Sequence, residues 1–351
     1  MKKIKVAILG ASGYTGLELI RILINHQFVE IVELVANSNA GQKISQIFPH
    51  LNHFNLPVLK KIEDIDFSKI DAVFGCLPHT ASQATFLDLL TKENGKYSHL
   101  KIIDLSADFR LENPDDYKHW YEHDHLAISL QKTAVYGLPE INRNLIKKSS
   151  LVANPGCYPT SVLLPLIPLL RNQLITVDSI IIDSKSGTSG AGRSLKTNNL
   201  FCEVNESVKA YSVGKHRHIG EIEQELSKAN GSKVLIEFTP HLLPINRGII
   251  STIYVNFAKN YQIDDLQNCL NTFYDDEFFV TLTDSEPNIK NVASTNLCEI
   301  SVKRGRKNNQ AIIVSVIDNL CKGASGQAVQ NFNIMFGFDE NTALKFAPTF
   351  P

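Results

Sequence analysis

Short apolar runs and helical spacings alternate through the first half of the chain. The strand-like "KIKVAILG" leads into apolar positions at helical spacing from Tyr14 to about Asn25. "IVELVA" follows, then "DAVFGCL" before a helix starting at about Thr80, then "KIIDLS". Apolar strands separated by helical patterns predict an α/β fold with a parallel, doubly wound sheet. From about Ile175 the runs lengthen: "VDSIIIDSKSG", "KVLIEFTP", "RGIISTIYVNF", "CEISVKRG" and "QAIIVSVIDN", with few helices between them. This predicts a second domain, of α+β type, on a mixed or antiparallel sheet. The expected division is residues 1–155, residues 156–324, and a C-terminal helix and tail, 325–351. The pattern leaves open where that last helix, from about Ser325 to Phe336, docks.

At 351 residues the chain suits two domains of roughly 150 residues each. An apolar fraction of 43% and a charged fraction of 20% are those of a folded globular protein. A net charge of −1, from 35 basic and 36 acidic residues, gives no bulk electrostatic reason to expect nucleic acid or an anionic membrane surface. Small molecules or copies of the chain are the expected partners. The chain passes from two lysines directly into an apolar strand without a signal-peptide core. Its longest apolar run, Ser161–Leu170, is broken by two prolines and is about half a bilayer span, so a cytoplasmic protein is expected. Cys76, Cys157, Cys202, Cys269, Cys298 and Cys321 show no CxxC or histidine-paired spacing, so neither a disulfide framework nor a metal site is indicated.

One turn changes this picture. After the first strand, "GASGYTG" places Gly10, Gly13 and Gly16 three apart, directly before a helix. Glycines there let backbone approach a pyrophosphate, and the helix start supplies oriented N–H groups. The spacing is GxxGxxG and not the commoner GxGxxG, so a structural glycine turn competes with a dinucleotide loop. At the end of the second strand "VANSNAG" offers Ser38 and no carboxylate, Glu33 lying within the strand. An acid at that tip would bind a ribose 2′-hydroxyl and repel a 2′-phosphate, so NADP is favoured over NAD.

A second segment carries nucleophilic chemistry. In "NPGCYPT" Pro159 suits the opening of a helix, which puts Cys157 at its N-terminus, where N–H groups and the helix dipole stabilise a thiolate. The competing reading is a buried cysteine at a helix cap. In "GKHRHIGEIEQEL", Glu221 falls three residues after His218, on one helix face, where a carboxylate can fix an imidazole tautomer. The competing readings are a solvated histidine and an acid complementing the helix dipole. Lys215, His216 and Arg217 are candidates for anionic substrate groups on charge and position alone. "DSKSGTSGAGR" runs from a strand into a glycine- and serine-rich turn suited to an anion, with Ser186 on the substrate side and Gly187 on the cofactor side. Arg110 ends "DLSADFR" at a strand terminus, where ligands of doubly wound sheets bind; a surface ion pair competes.

"GASGYTGLELIRIL", "LPHTASQ", "IDLSADFR", "YGLPEINR", "NPGCYPT", "SGTSGAGR", "GKHRHIGEIEQEL", "FTPHLLPINRGI" and "DNLCKGASGQAVQ", in this order, resemble the N-acetyl-gamma-glutamyl-phosphate reductase family of arginine biosynthesis. That family is related to aspartate-semialdehyde dehydrogenase, and the resemblance runs from Val6 to about Phe338. It implies a Rossmann-like NADP-binding domain, a catalytic and oligomerisation domain, and a C-terminal helix returning to the first. It further implies a homo-oligomer, dimer or tetramer. By the same resemblance Cys157 is the nucleophile, His218 the general acid/base and Glu221 its orienter, while Arg110 contacts the phosphate. Gly10, Ser12, Gly13, Tyr14, Thr15 and Gly16 form the cofactor loop, and Asn319 lies near the nicotinamide. The family often has Ser-Arg where this chain has Ser38-Asn39, so NADP preference rests on Ser38 and the absent carboxylate.

The implied reaction is NADPH-dependent reduction of an acyl phosphate through a Cys157 thioester. Alternatives are reduction of aspartyl phosphate or carrier-bound aminoadipyl phosphate, a nucleotide-binding regulatory protein without catalysis, and a thiol hydrolase. The last would have no use for the glycine loop.

Overall fold

The computed structural model describes residues 2–91 and 95–350. Met1 and Lys92–Asn94 of the first expected domain, and Pro351 of the third, lie outside the described residues. The chain forms two compact units, Met1–Pro155 with Ala324–Lys345, and Gly156–Gly323 with Phe346–Pro351.

The first unit contains β1 (Ile4–Leu9), α1 (Tyr14–Leu23), β2 (Val29–Val35), α2 (Ile44–Ile47), β3 (Leu59–Lys60), β4 (Ala72–Gly75) and α3 (Ala81–Thr91). It continues with β5 (Lys101–Asp104), α4 (Pro114–Tyr121), α5 (Ile128–Gln131), β6 (Val135–Tyr136), α6 (Pro139–Ile146) and β7 (Leu151–Ala153). The strands pair in parallel in the order β3-β2-β1-β4-β5-β7-β6. This is the Rossmann-like sheet that the alternating pattern predicts. Its central strands are apolar on both faces, as in buried Val6, Ala7, Ile8 and Leu9, because helices cover both sides.

In the second unit α7 (Cys157–Arg171), β8 (Ile181–Gly187), α8 (Phe201–Val204), β9 (Lys209–Ala210), α9 (His218–Asn230), β10 (Glu237–Leu243) and β11 (Ile249–Asn256) come first. They are followed by α10 (Ile263–Tyr274), β12 (Val280–Leu282), β13 (Cys298–Arg304) and β14 (Gln310–Ile317). The sheet order is β12-β13-β14-β11-β8-β10-β9. It is mixed: β8 with β10 and β12 with β13 are parallel, and the other neighbours are antiparallel. Helix α7 packs on β11 and β14 and is flanked by α9 and α10. Its residues from Tyr158 to Leu170 are all buried, which accounts for its lack of a polar face.

Two prolines, Pro165 and Pro168, lie inside α7. Pro168 has no N–H for the carbonyl of Leu164 one turn earlier, and the Tyr274 hydroxyl donates to that carbonyl instead. Where α7 meets the sheet, three buried hydroxyls form a chain. Ser161 Oγ lies 2.7 Å from Ser251 Oγ, which lies 2.7 Å from Ser184 Oγ.

After β14 the chain makes a single π-helical turn, Cys321–Ser325, and continues as α11 (Gly326–Phe336). In the first unit α11 packs on α1, α6 and β5, and its residues from Gly326 to Met335 are all buried. Its polar side chains are satisfied there. Asn331 Nδ2 donates to the Gly137 carbonyl at 2.9 Å, and Asn333 Oδ1 accepts from His26 Nε2 at 2.9 Å. The expected third segment is divided: residues through Lys345 belong to the first unit, and the tail from Phe346 belongs to the second. In the second unit the Thr349 N–H donates to the Ala293 carbonyl at 3.1 Å, which ties the tail there. Among the described residues no helix is long and apolar enough to cross a membrane.

Candidate active site

In the first unit β1 ends at a glycine corner. Gly10 has φ +82°, and a Cβ there would lie 2.2 Å from the Cys76 carbonyl oxygen. A Cβ at Gly16 would lie 2.5 Å from the Gly10 carbonyl oxygen. Both glycines are therefore required by close packing of the turn against β4 and α1. Gly13 differs: its Cβ would meet only the Gly10 oxygen, at 3.5 Å. It is the N-cap of α1, so beside it Ser12, Tyr14 and Thr15 present a helix start with room for a ligand. Oriented N–H groups and an open Cα fit a pyrophosphate. At the β2 tip Ser38 is exposed in a short turn and accepts from Asn39 Nδ2 at 3.2 Å. Glu33, the nearest acid, is paired with Lys60 at 2.9 Å.

Arg110, also in the first unit, is 5% exposed. Its Nε donates to the Asn154 carbonyl and its Nη2 to the Leu105 carbonyl, both at 2.8 Å. The guanidinium thus ties the ends of β5 and β7 together at the segment that leads into "PGC".

In the second unit Cys157 is the first residue of α7, and Gly156 is its N-cap in extended conformation. Pro159 is the third helical residue and not the opener the sequence suggests. Glu221, in the first turn of α9 and 1% exposed, accepts the Gly156 N–H at 2.8 Å through Oε1. The carboxylate expected to orient the His218 imidazole thus has the backbone beside the candidate nucleophile as one of its partners. His218 opens α9, and its backbone N–H donates to His216 Nδ1 at 3.1 Å. The two imidazoles lie edge to face, centroids 4.7 Å apart. Tyr158 packs against both, at 5.5 Å from His216 and 5.9 Å from His218. These contacts bring the starts of α7 and α9 together, and Cys157 and His218 with them.

His216 corrects one expectation. Burial, with the neighbouring Arg217 charge second, holds its pKa down at about 4, so it is neutral near pH 7 and adds no positive charge toward an anion. With Nδ1 accepting, the proton sits on Nε2. Lys215 and Arg217 are exposed. The sequence reading misses the aromatic wall around His216, formed by Tyr158, Tyr211 and Phe238. Tyr211 Oη lies 3.0 Å from Tyr158 Oη. Burial above all raises both phenols, Tyr211 to about 12, so both stay protonated. Tyr158 stands in the quoted cysteine motif and was open to notice; Tyr211 carried no signal beyond its nearness to the histidines.

Ser186 is buried at the end of β8, its Oγ donating to the Gly187 carbonyl at 3.0 Å. The backbone of Asn246 and Arg247 passes so close to Gly187 that a Cβ would lie 2.8 Å from the Arg247 nitrogen. Asn319 is 2% exposed and uses both ends of its amide within the second unit. Oδ1 accepts the Gly248 N–H at 2.7 Å, and Nδ2 donates to Ser189 Oγ at 2.9 Å.

Comparison with known proteins shows the family. Residues 5–149 match the NAD-binding domain of semialdehyde dehydrogenase, and residues 157–319 its dimerisation domain. A probable chloroplastic N-acetyl-gamma-glutamyl-phosphate reductase of Arabidopsis thaliana is 51% identical over 352 residues, covering 100% of this chain and 86% of that protein. The N-acetyl-gamma-glutamyl-phosphate reductase of Rhodospirillum rubrum is also 51% identical, covering 100% of this chain and 99% of that protein. Among solved structures, aspartate semialdehyde dehydrogenase II of Vibrio cholerae superposes with a TM-score of 0.72 at 16% identity, covering 96% of this chain and 99% of that one. That likeness speaks for the fold alone. A Rossmann-like unit matching one domain model, a mixed-sheet unit matching the other, and half-identical relatives along the full length lead to one conclusion: the chain belongs to the N-acetyl-gamma-glutamyl-phosphate reductase family of semialdehyde dehydrogenases.

Proposed function

We propose that the chain reduces N-acetyl-L-glutamyl 5-phosphate to N-acetyl-L-glutamate 5-semialdehyde with NADPH, releasing phosphate, as a step of arginine biosynthesis. The observation that carries this reading is the 2.8 Å bond from the Gly156 N–H to Glu221, which joins the helix start bearing Cys157 to the one bearing His218. The Cys157 thiolate attacks the acyl carbonyl, and the tetrahedral oxyanion collapses with loss of phosphate to leave a thioester. The Gly156 N–H is committed to Glu221, so the oxyanion falls to backbone N–H groups further into α7, that of Tyr158 among them. NADPH, when bound, would supply the hydride that reduces the thioester. His218 then protonates the resulting alkoxide or accepts its proton as the C–S bond breaks, returning the thiolate and releasing the aldehyde.

Gly10, Ser12, Gly13, Tyr14, Thr15 and Gly16 would hold the dinucleotide. Exposed Ser38 and the pairing of Glu33 with Lys60 support NADP over NAD, because the β2 tip segment "VANSNAG" contains no carboxylate. In the second unit, Lys215, Arg217 and Ser186 are the candidates for the substrate's own anionic groups. The protein works as a cytoplasmic homo-oligomer. Support for assembly comes from the dimerisation-domain match and from exposed Leu195, Phe201, Val208 and Val213 in the same unit.

The reverse reaction tests this. Purified protein is given N-acetylglutamate semialdehyde, phosphate and NADP, with aspartate semialdehyde and NAD in parallel wells. Phosphate-dependent NADPH formation with the acetylated substrate alone is expected. Activity with another semialdehyde only would move the substrate and keep the chemistry.

A further inference from the structure

The turn between β14 and α11 lies directly against the candidate nucleophile. Asp318, fully buried, fixes the start of that turn through both carboxylate oxygens. Oδ1 accepts the N–H groups of Leu320 at 2.8 Å and Cys321 at 3.0 Å, while Oδ2 accepts that of Ser294 at 2.7 Å and pairs with Arg247 at 3.3 Å. Asn319 adds its two bonds to Gly248 and Ser189. The Gly323 N–H then reaches back five residues to the Asp318 carbonyl at 2.9 Å, which gives the turn its wide, π-helical form.

That widening presents the Gly323 Cα to Cys157. A Cβ on Gly323 would lie 2.8 Å from Cys157 Cβ, 3.2 Å from its Cα and 3.3 Å from the Asp318 carbonyl oxygen. None of these atoms is the free end of a flexible side chain. Gly323 is absent from the residues with positive φ, so its backbone would accept alanine, which helical geometry prefers over glycine. The glycine is therefore there for close approach and not for conformational freedom.

We propose that Gly323 is a positioning residue for Cys157: the turn Cys321–Ser325, anchored by Asp318 and Asn319, sets where the nucleophile's Cα–Cβ bond points and thus where Sγ meets the acyl carbon. This rests on Cys157 being the nucleophile. The added methyl of Gly323→Ala must displace the Cys157 backbone or the turn, and displacements of this size at a reacting atom are worth about a hundredfold in rate.

Gly323→Ala is compared with the unaltered protein by steady-state reduction, and by the pH profile of iodoacetamide alkylation at Cys157, read by mass spectrometry of its peptide. A fall in kcat of about 10- to 100-fold, KM within about threefold and a displaced or slowed alkylation profile are expected. An unchanged kcat, or a lost kcat with an unchanged alkylation profile, overturns the proposal. Cys157→Ser, assayed alongside, separates the two levels, since reduction surviving there overturns the catalytic reading and this one with it. Should Gly323→Ala fail to fold, Ser189→Ala removes one acceptor of Asn319 without adding atoms. It is then expected to slow alkylation severalfold, and an unaltered profile overturns the proposal.

Discussion

Replacing Glu221 by alanine strips the Gly156 N–H of its acceptor and leaves that amide buried beside the nucleophile. Losing a charge-assisted bond of this kind costs about 1.5–3 kcal/mol. Glu221→Ala is therefore expected to lower kcat about a hundredfold and also to lower the urea midpoint, whereas Glu221→Gln, which keeps an oxygen acceptor, retains most of both. Cys157→Ser is expected to abolish reduction while leaving NADPH binding intact, measured by fluorescence titration. His216 makes a prediction in pH. Its folded pKa of about 4 lies below the ordinary 6.5, so between those values the unfolded chain binds more protons. Stability from this residue is complete above about pH 6.5 and is lost as pH falls toward 4, on the order of 3 kcal/mol in all. His216→Gln is expected to flatten that limb of the denaturation curve. Cys157 and His218 stand out in the sequence as candidates because Pro-Gly-Cys before an apolar helix, and histidine before a glutamate one turn on, have few structural reasons to exist. The neutrality of His216 was not legible there, since it comes from Tyr158, Tyr211 and Phe238, brought in by the fold from separate segments.

At the level of elements, α7 shows both what patterning conveys and where it stops. Its burial was evident from an apolar run interrupted only by prolines, and so was the α/β alternation around it. The prolines within it were not interpretable, because the group that satisfies the Leu164 carbonyl is a tyrosine on α10, over a hundred residues away. Tyr274→Phe is expected to orphan that carbonyl at a cost of about 1–3 kcal/mol, read as a lower urea midpoint with an unchanged m-value. The glycine corner after β1 was readable because Gly10 and Gly16 are fixed by approaches no side chain allows. The docking of α11 was not readable from the apolar pattern, since its buried asparagines find partners at His26 and Gly137, about 200 to 300 residues earlier in the chain.

For the whole molecule, a ligand that binds only the folded chain raises its stability by mass action, about 2.7 kcal/mol at a hundred times Kd. NADPH is expected to raise Tm more than equimolar NADH, and to do so equally in Cys157→Ser, by scanning calorimetry. The first unit is built from two stretches of chain, with Gly156–Gly323 between them. During synthesis at roughly 5–20 residues per second, the ribosome spends on the order of ten to thirty seconds on that insert before α11 emerges. Until then the nascent sheet lacks the helix that covers α1, α6 and β5, with Phe74 stripped of its packing partner Phe332. The amino-terminal half is thus made first but closed only after the insert has been made, and for that interval its apolar face stays open to water.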